Sequence, residues 1–366
     1  MRIVIMLVLL GAMLAGCGTR PSDAVLVPAK VSVKPWREVT IYAVTTRSPS
    51  EDGVGYGSGK AEKTRYLRYT ISIPQSHTPG EIEYPGPTAG PDKSFTVIAA
   101  ERVDHTQFLQ AVARQKQSGK QIGVFVHGFN YSFQESLFRM AQMSADADVD
   151  GMAVLFAWPS LAEISGYIGD KDAAAYSRDQ LTELLTDLGR SGGKDTLVLG
   201  HSMGGWLTME ALRQMRLTGK GREMNRLQVV LAAPDIDLDL FRAQLEVVGR
   251  MKNPLVVLVS PDDRALKLSS LLAGDTRAGA LDIRDPSIQE EAREANVAIV
   301  DISELSSADG TNHDRFTALA ALYPKLKADG RPNEVQRAGV FVFSTIGNTI
   351  SAPFRLASSA FSQGPR

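Results

Sequence analysis

The stretch from Asp195 to Leu207, DTLVLGHSMGGWL, decides how the whole chain is read. Thr196 to Leu199 is a short apolar run with the length of a buried strand, and the residues from Trp206 onward carry helical periodicity. Between them lies Gly200-His201-Ser202-Met203-Gly204-Gly205. A serine with glycine two positions before and two after, at a strand-to-helix junction, is the pattern of a nucleophile elbow. Such a turn forces the serine into a strained backbone conformation that lifts its hydroxyl clear of the sheet. Larger side chains at the flanking positions would collide with neighbouring backbone, hence the glycines. The competing reading is a glycine-rich turn with an idle serine. The flanking strand and helix favour the elbow.

The same alternation extends in both directions. Strands are expected at Ile122 to Val126, Met152 to Ala157, Leu227 to Leu231, Leu255 to Val259 and Val297 to Ile302. Helices are expected at Phe133 to Ala145, Asp172 to Leu188, Trp206 to Arg216, Leu238 to Val248, Ala265 to Leu272 and Arg315 to Leu326. Leu181, Leu184, Leu185 and Leu188 recur at helical spacing, as do Leu319, Leu322, Tyr323 and Leu326, which marks them as core. Ser132 and Glu135 fit a capping box. Strands alternating with helices of this length imply an α/β fold, a mostly parallel sheet covered by helices on both faces. Further upstream, Val39 to Val44, Tyr66 to Ile73 and Phe95 to Ala100 read as strands and Asp104 to Gln117 as a helix. Ser48 to Lys60 reads as a glycine-rich loop that lacks the lysine and serine of a phosphate cradle. Pro74 to Pro91 reads as an irregular excursion with His77 exposed in it. No long insertion follows Leu231, so no large lid domain is expected. The loops 157 to 170, with Trp158, Pro159 and Tyr167, and 273 to 296 are the expected walls of the site, Trp158 more as packing than as substrate contact.

A chain of 366 residues, 43% of them hydrophobic, is long enough to bury one large core. With Lys+Arg 40 against Asp+Glu 41 and a formal net charge of -1, and no basic run interleaved with aromatics, a nucleic-acid surface is not expected. The single cysteine, Cys17, excludes an intramolecular disulfide and a cysteine-based zinc site. It follows Met1-Arg2, an apolar run Ile3 to Leu14 too short to span a bilayer, and Leu14-Ala15-Gly16. This N-terminus resembles a bacterial lipoprotein signal peptide. The resemblance implies cleavage before Cys17, lipidation of that residue and, with Gly18 rather than aspartate following, an outer-membrane lipoprotein facing the periplasm. An uncleaved anchor or an ordinary secretory signal are the alternatives. The expected organisation is a signal peptide over 1–17, a tether over 18–36, the main domain over 37–340 and a C-terminal tail over 341–366. Phe343, Ile346, Ile350 and Phe354 in the tail lie near helical spacing and are expected to dock on the domain, the alternative being that they lie on a membrane.

Hydrolysis at a carbonyl passes through a tetrahedral oxyanion, which needs preorganised donors. Val124 to Asn130, VFVHGFN, is an apolar strand ending in His-Gly-x, and loops at the carboxyl ends of neighbouring parallel strands converge. The backbone amides of Phe129 and Met203 are therefore the candidate oxyanion donors. A serine hydroxyl also needs a base, and the base an orienting acid. Of five histidines, His77 and His105 lie far upstream and His127 and His201 belong to the two turns. That leaves His313, the one histidine downstream of the elbow. For the acid, Asp263 is preferred over Asp262 after the strand Leu255 to Val259, with Asp235 and Asp237 in reserve. Either of the first two would otherwise be a helix cap.

The motifs VFVHGFNYSF, FAWPS, GHSMGG, AAPDID and SPDDRAL, preceded by VTIYAVTTR and ISIP, together resemble the bacterial branch of the alpha/beta-hydrolase superfamily classed as domain of unknown function 900, over roughly residues 37 to 326. The resemblance implies an alpha/beta-hydrolase fold and an esterase-like or lipase-like serine hydrolase. It supports Asp263 through the D-x-A-L match. The turn reads HGFN rather than HGGG, so the substrate preferences of HGGG lipases do not transfer. The expected activity is cleavage of carboxylic or thio esters through an acyl-enzyme on Ser202, with Asp263 and His313 completing the set, a small acyl-ester or lipid substrate, membrane attachment through Cys17 and no metal or cofactor. Acyl transfer or amide cleavage by the same residues, and a lipid-anchored binding protein on a hydrolase scaffold, are the rival readings.

Overall fold

The computed structural model of the chain describes residues 20–86, 90–148, 150–191, 195–273, 275–307 and 310–320. Cys17, the signal-peptide segment, helix positions beyond 320 and the tail over 341–366 lie outside the described residues. Within them, nine strands form one sheet: β1 (Arg37–Pro49), β2 (Tyr56–Ile73), β3 (Thr96–Val103), β4 (Ile122–Val126), β5 (Met152–Ala157), β6 (Thr196–His201), β7 (Leu227–Ala232), β8 (Leu255–Val259) and β9 (Val297–Asp301). Their order is β3-β2-β1-β5-β4-β6-β7-β8-β9. β2 runs antiparallel to β1 and β3, and every other pairing is parallel. Because β5 lies on one side of β4 and β6 on the other, the winding reverses at β4, the kind of position beyond whose strand ends open α/β sheets bind their ligands.

Parallel strands need crossovers, and helices supply them: α1 (His105–Gln117), α2 (Phe133–Asp146), α3 (Tyr167–Tyr176), α4 (Arg178–Arg190), α5 (Met203–Leu217), α6 (Gly221–Met224), α7 (Leu238–Val248), α8 (Arg264–Ala273) and α9 (Pro286–Ala295). The residues MAVLFA of β5 are buried throughout, as expected of a strand covered on both faces. One core joins Phe108, Leu181, Leu184, Leu207, Phe241 and Ile288 to alternate residues of the central strands. The other packs Phe133, Leu137, Phe138 and Phe316 against the opposite face. Ser132 and Glu135 form the expected capping box at the start of α2, worth about 1 kcal/mol.

Several expectations are corrected. The single helix expected over Asp172 to Leu188 is two, broken at Ser177. The buried Ser177 hydroxyl bonds back to the Ala173 carbonyl (3.0 Å) and pairs with Thr46 Oγ1 (2.8 Å), bending the backbone where periodicity alone continues. The loop expected over Ser48 to Lys60 is largely strand, since β2 begins at Tyr56 and pairs with β1 across register shifts near Arg47 and Pro49. The wall loop 273 to 296 contains α9, started by Asp285 with Pro286 at its first position. The tether is also not a free linker over its described part. Leu26 is buried, Ala29 N–H donates to Val97 O (2.9 Å), and Pro21 O accepts from Gln134 Nε2 (2.6 Å). Finally, His77 is not exposed. Its side chain is 1% accessible and lies between Glu83 and Asp146, each 2.8 Å from a ring nitrogen.

Candidate active site

Ser202 sits at φ 53°, ψ -121°, a conformation that costs a non-glycine residue of order 1–3 kcal/mol. It is held there by its neighbours. Ser202 N–H donates to Ala232 O (2.9 Å), while Ser202 O accepts from the amides of Gly205 (2.9 Å) and Asp235 (3.2 Å). The glycines are required by contact as well as by conformation. A Cβ on Gly204 would stand 2.2 Å from His127 O and 2.3 Å from Val126 O, and one on Gly200 would stand 2.6 Å from Thr208 Oγ1. The elbow is thus wedged against the end of β4.

That wedge brings the 127–130 loop to the serine. A Cβ on Gly128 would meet Ser202 Cβ at 3.0 Å. Neither the Phe129 amide nor the Met203 amide at the start of α5 has an acceptor among the described residues, so both N–H groups are available as donors beside the turn. His127 is a structural side chain. Its ring is fully buried, stacks on Trp158 at 4.8 Å, and places Nδ1 2.8 Å from Gly128 O and Nε2 3.1 Å from Trp158 O. Burial, reinforced by the Arg47 charge, lowers its pKa to about 3, so it is neutral across ordinary pH. Trp158 donates its indole N–H to His127 O (2.8 Å), which makes it packing, as expected.

The structure brings His313 and Asp263 together. Asp263 is fully buried, its Oδ2 lies 2.7 Å from His313 Nδ1, and its Oδ1 accepts from Leu266 N–H (2.9 Å). It therefore orients the imidazole and caps α8 at once. Asp262 points elsewhere. It accepts from both terminal nitrogens of Arg315, from Ser260 Oγ (2.9 Å) and from Asn312 Nδ2 (3.0 Å). Arg315 chiefly, with Ser260, holds its carboxyl down at about 2. Asp262 thus fastens both sides of His313 to the end of β8. The loop is secured further where Arg264 N–H donates to Thr311 O (2.9 Å). His201 joins loop to elbow, its ring 4.6 Å from that of His313 and its Nε2 3.2 Å from His313 O. Burial, then the neighbouring His313, pushes the His201 pKa well down. Among the described residues no hydrogen bond joins the Ser202 hydroxyl to the His313 ring.

The reserve acids have other work. Asp237 caps α7 through Leu240 N–H (2.9 Å). Asp235 is buried against Arg277 (3.3 Å) and accepts from Tyr167 OH (2.7 Å) and Ser269 Oγ (2.7 Å). Tyr167, from the expected wall loop 157 to 170, is thus one of the supports, while Asp170, Arg47 and Arg20 are three that were not singled out from the sequence. Tyr167 meets Phe129 edge-on at 5.4 Å. Asp170 accepts from Leu161 N–H (2.6 Å) and Ser160 Oγ. Arg47, the last residue of VTIYAVTTR, is buried and donates to Ser160 O (3.1 Å) and Tyr131 O (2.6 Å), its pKa lowered by burial to about 10. Arg20 Nη2 donates to Asn130 O (3.0 Å). A charged residue closing an apolar strand was the one available signal, at Arg47.

Comparison with known proteins adds the following. Residues 103–329 match the model of a family described as alpha/beta hydrolase of unknown function (DUF900). No curated protein matches. Among solved structures, the chain is similar to a dienelactone hydrolase-like promiscuous phosphotriesterase from metagenomic libraries (13% identity, 79% of this chain and 98% of that one, TM-score 0.34). It is also similar to an esterase solved with p-nitrophenol (12% identity, 78% and 79%, TM-score 0.37). A third is an alpha/beta hydrolase enzyme from a Medee basin deep-sea metagenome library (13% identity, 75% and 92%, TM-score 0.28).

Proposed function

The chain belongs to the DUF900 family of alpha/beta hydrolases, and from that premise we propose that it is a serine hydrolase acting on carboxylic or thio esters, with Ser202 as nucleophile, His313 as base and Asp263 as the orienting acid. The observation that carries this reading is the 2.7 Å pair of Asp263 and His313, held by the loop that packs on the elbow. A carboxylate accepting from Nδ1–H fixes the tautomer in which Nε2 carries a lone pair rather than a proton. Substrate binding brings hydroxyl and imidazole closer, as commonly happens between free and occupied sites. Nε2 takes the Ser202 proton as Oγ attacks the acyl carbon, and the Phe129 and Met203 amides receive the developing oxyanion. The intermediate collapses with loss of the alcohol or thiol, which takes the proton from His313. Water, deprotonated by the same imidazole, then releases the acid and restores Ser202.

A fluorophosphonate probe tests this. The native protein should label rapidly and stoichiometrically, while heat-denatured protein and Ser202→Ala should not. Equal labelling of all three would refute the assignment.

A further inference from the structure

Two elements whose inner sides reach the candidate site carry large apolar side chains on their outer sides, among charged ones such as Lys171 and Lys267. Ile164, Ile168 and Leu161, in the segment leading into and through the start of α3, are 78%, 80% and 42% exposed; Leu268 and Leu271 on α8 are 54% and 82% exposed. Leu268 and Leu271 are three residues apart on α8, a spacing that shares a helix face, and Ile164 lies in the turn just before the helix that carries Ile168. The inward side of the same elements carries Tyr167 and Ser269, whose hydroxyls lie 3.1 Å apart. Tyr167 touches Phe129 and bonds Asp235, whose amide in turn holds Ser202 O. The exposed apolar side chains therefore sit on the outward side of two elements whose inward side is tied to the elbow. Large exposed apolar side chains grouped on one surface mark a place where something binds.

What covers them is indicated by where the described chain begins. Arg20 donates to Ala162 O (2.6 Å), between Leu161 and Ile164, and to Asn130 O in the oxyanion loop. Cys17, preceded by the apolar run Ile3 to Leu14, is three residues away. Three residues span about 10 Å at full extension. An attachment of residue 17 to a membrane would, by chain length alone, hold Arg20 and the loops it bonds within about 10 Å of that attachment.

We propose that the surface of Leu161, Ile164, Ile168, Leu268 and Leu271 lies on the phospholipid bilayer that holds the N-terminal end, so that Ser202 takes its acyl ester from the lipid phase. The membrane contact stands on that surface and on Arg20; the choice of substrate rests on the serine-hydrolase reading above. A short docked connection, rather than a long free one, sets the orientation. Arg20 clamps the chain to the loops around the site, and side chains of this kind bury to the depth of the headgroup boundary.

The test uses the full chain reconstituted into phosphatidylethanolamine–phosphatidylglycerol vesicles. An environment-sensitive fluorophore is placed at Ile164→Cys or Leu271→Cys, with Gln117→Cys as a control at the opposite end of the sheet, where α1 leads into the start of β4. Quenching by doxyl-labelled lipid at 164 and 271 but not at 117 is expected. Absence of quenching at 164 and 271, or equal quenching at all three, would overturn the docking. In parallel, the triple variant Ile164→Gln, Ile168→Gln, Leu271→Gln should cleave a vesicle-embedded long-chain ester about tenfold more slowly, with hydrolysis of soluble p-nitrophenyl acetate changed less than about twofold. An equal fall on both substrates would overturn the lipid-phase substrate. If the unsubstituted protein cleaves neither ester, the serine-hydrolase reading has failed, and the quenching alone decides the docking.

Discussion

Replacing Asp263 by asparagine changes one proton and almost no volume, and the geometry dictates the result. Oδ1 of Asp263 already accepts from Leu266 N–H at 2.9 Å, so the asparagine carbonyl must take that place. The opposite rotamer would set two donors face to face and strand a buried N–H, at about 1–3 kcal/mol. The asparagine NH2 is then aimed at His313 Nδ1, which now has to accept. The ring proton moves to Nε2, the atom that should receive the proton of Ser202. A base locked in the wrong tautomer costs about 10⁴-fold in turnover, or about 5 kcal/mol of barrier. Folding stability should move by about 1 kcal/mol or less, because the cap and the contact to His313 both persist. Asp262→Asn is the comparison. It removes a charge from Arg315 but leaves His313 its own acceptor, so turnover should fall by no more than about tenfold. The assay is kcat and KM on p-nitrophenyl butyrate, with circular dichroism melts on the same samples. If Asp263→Asn kept turnover within tenfold of the parent, or Asp262→Asn lost the more, the orienting role of Asp263 would be wrong.

Other expectations follow from the same contacts. Ser202→Gly should abolish turnover yet raise the melting temperature by about 2 °C, because glycine tolerates φ 53° and removes strain of about 1 kcal/mol; an unchanged or lower melting point would contradict the strained elbow. Gly204→Ala should cost about 3 kcal/mol or more, or prevent folding, since its methyl would overlap two backbone carbonyls; a soluble variant with a parental melt would contradict that packing. His77 is opposed by burial, but its bonds to Asp146 and Glu83 outweigh this and raise its pKa above 6.5. Its contribution is therefore complete below pH 6.5 and lost as pH rises through the folded value, so His77→Gln should destabilise at pH 6 and far less at pH 9, as read by urea unfolding at each pH. Because burial lowers His127 to about 3 and pushes His201 well down, neither ring should add a proton to the acidic limb of kcat/KM above about pH 5; a limb steeper than one proton would contradict the neutral state of these two rings.

Much of this was legible in the sequence because it is local or periodic. The strand and helix of the elbow, the β4 strand with its His-Gly turn, and the cap at Ser132 follow from neighbouring residues alone. Asp263 is preferred over Asp262 in the sequence, with the D-x-A-L match in support, but their divergent partners, His313 and Arg315, are about fifty residues away in the chain. What periodicity misses is set by side chains reaching across the fold. Ser177 breaks a helix because Thr46 and Ala173 claim its hydroxyl, and His77 is buried because Asp146 comes to meet it from α2. Arg20 belongs with these, a polar residue in an aperiodic segment that becomes informative only once Ala162 and Asn130 are seen beside it.

The central claim is that Ser202 carries the acyl group between two half-reactions. Mixing the protein with excess p-nitrophenyl ester and following the first turnover, with the quenched sample digested for peptide mass mapping, tests it most directly. The account predicts a burst of one nitrophenolate per active site and an acyl adduct confined to the peptide holding Ser202, both missing from Ser202→Ala. Turnover with no adduct at Ser202, or undiminished turnover in Ser202→Ala, would contradict it.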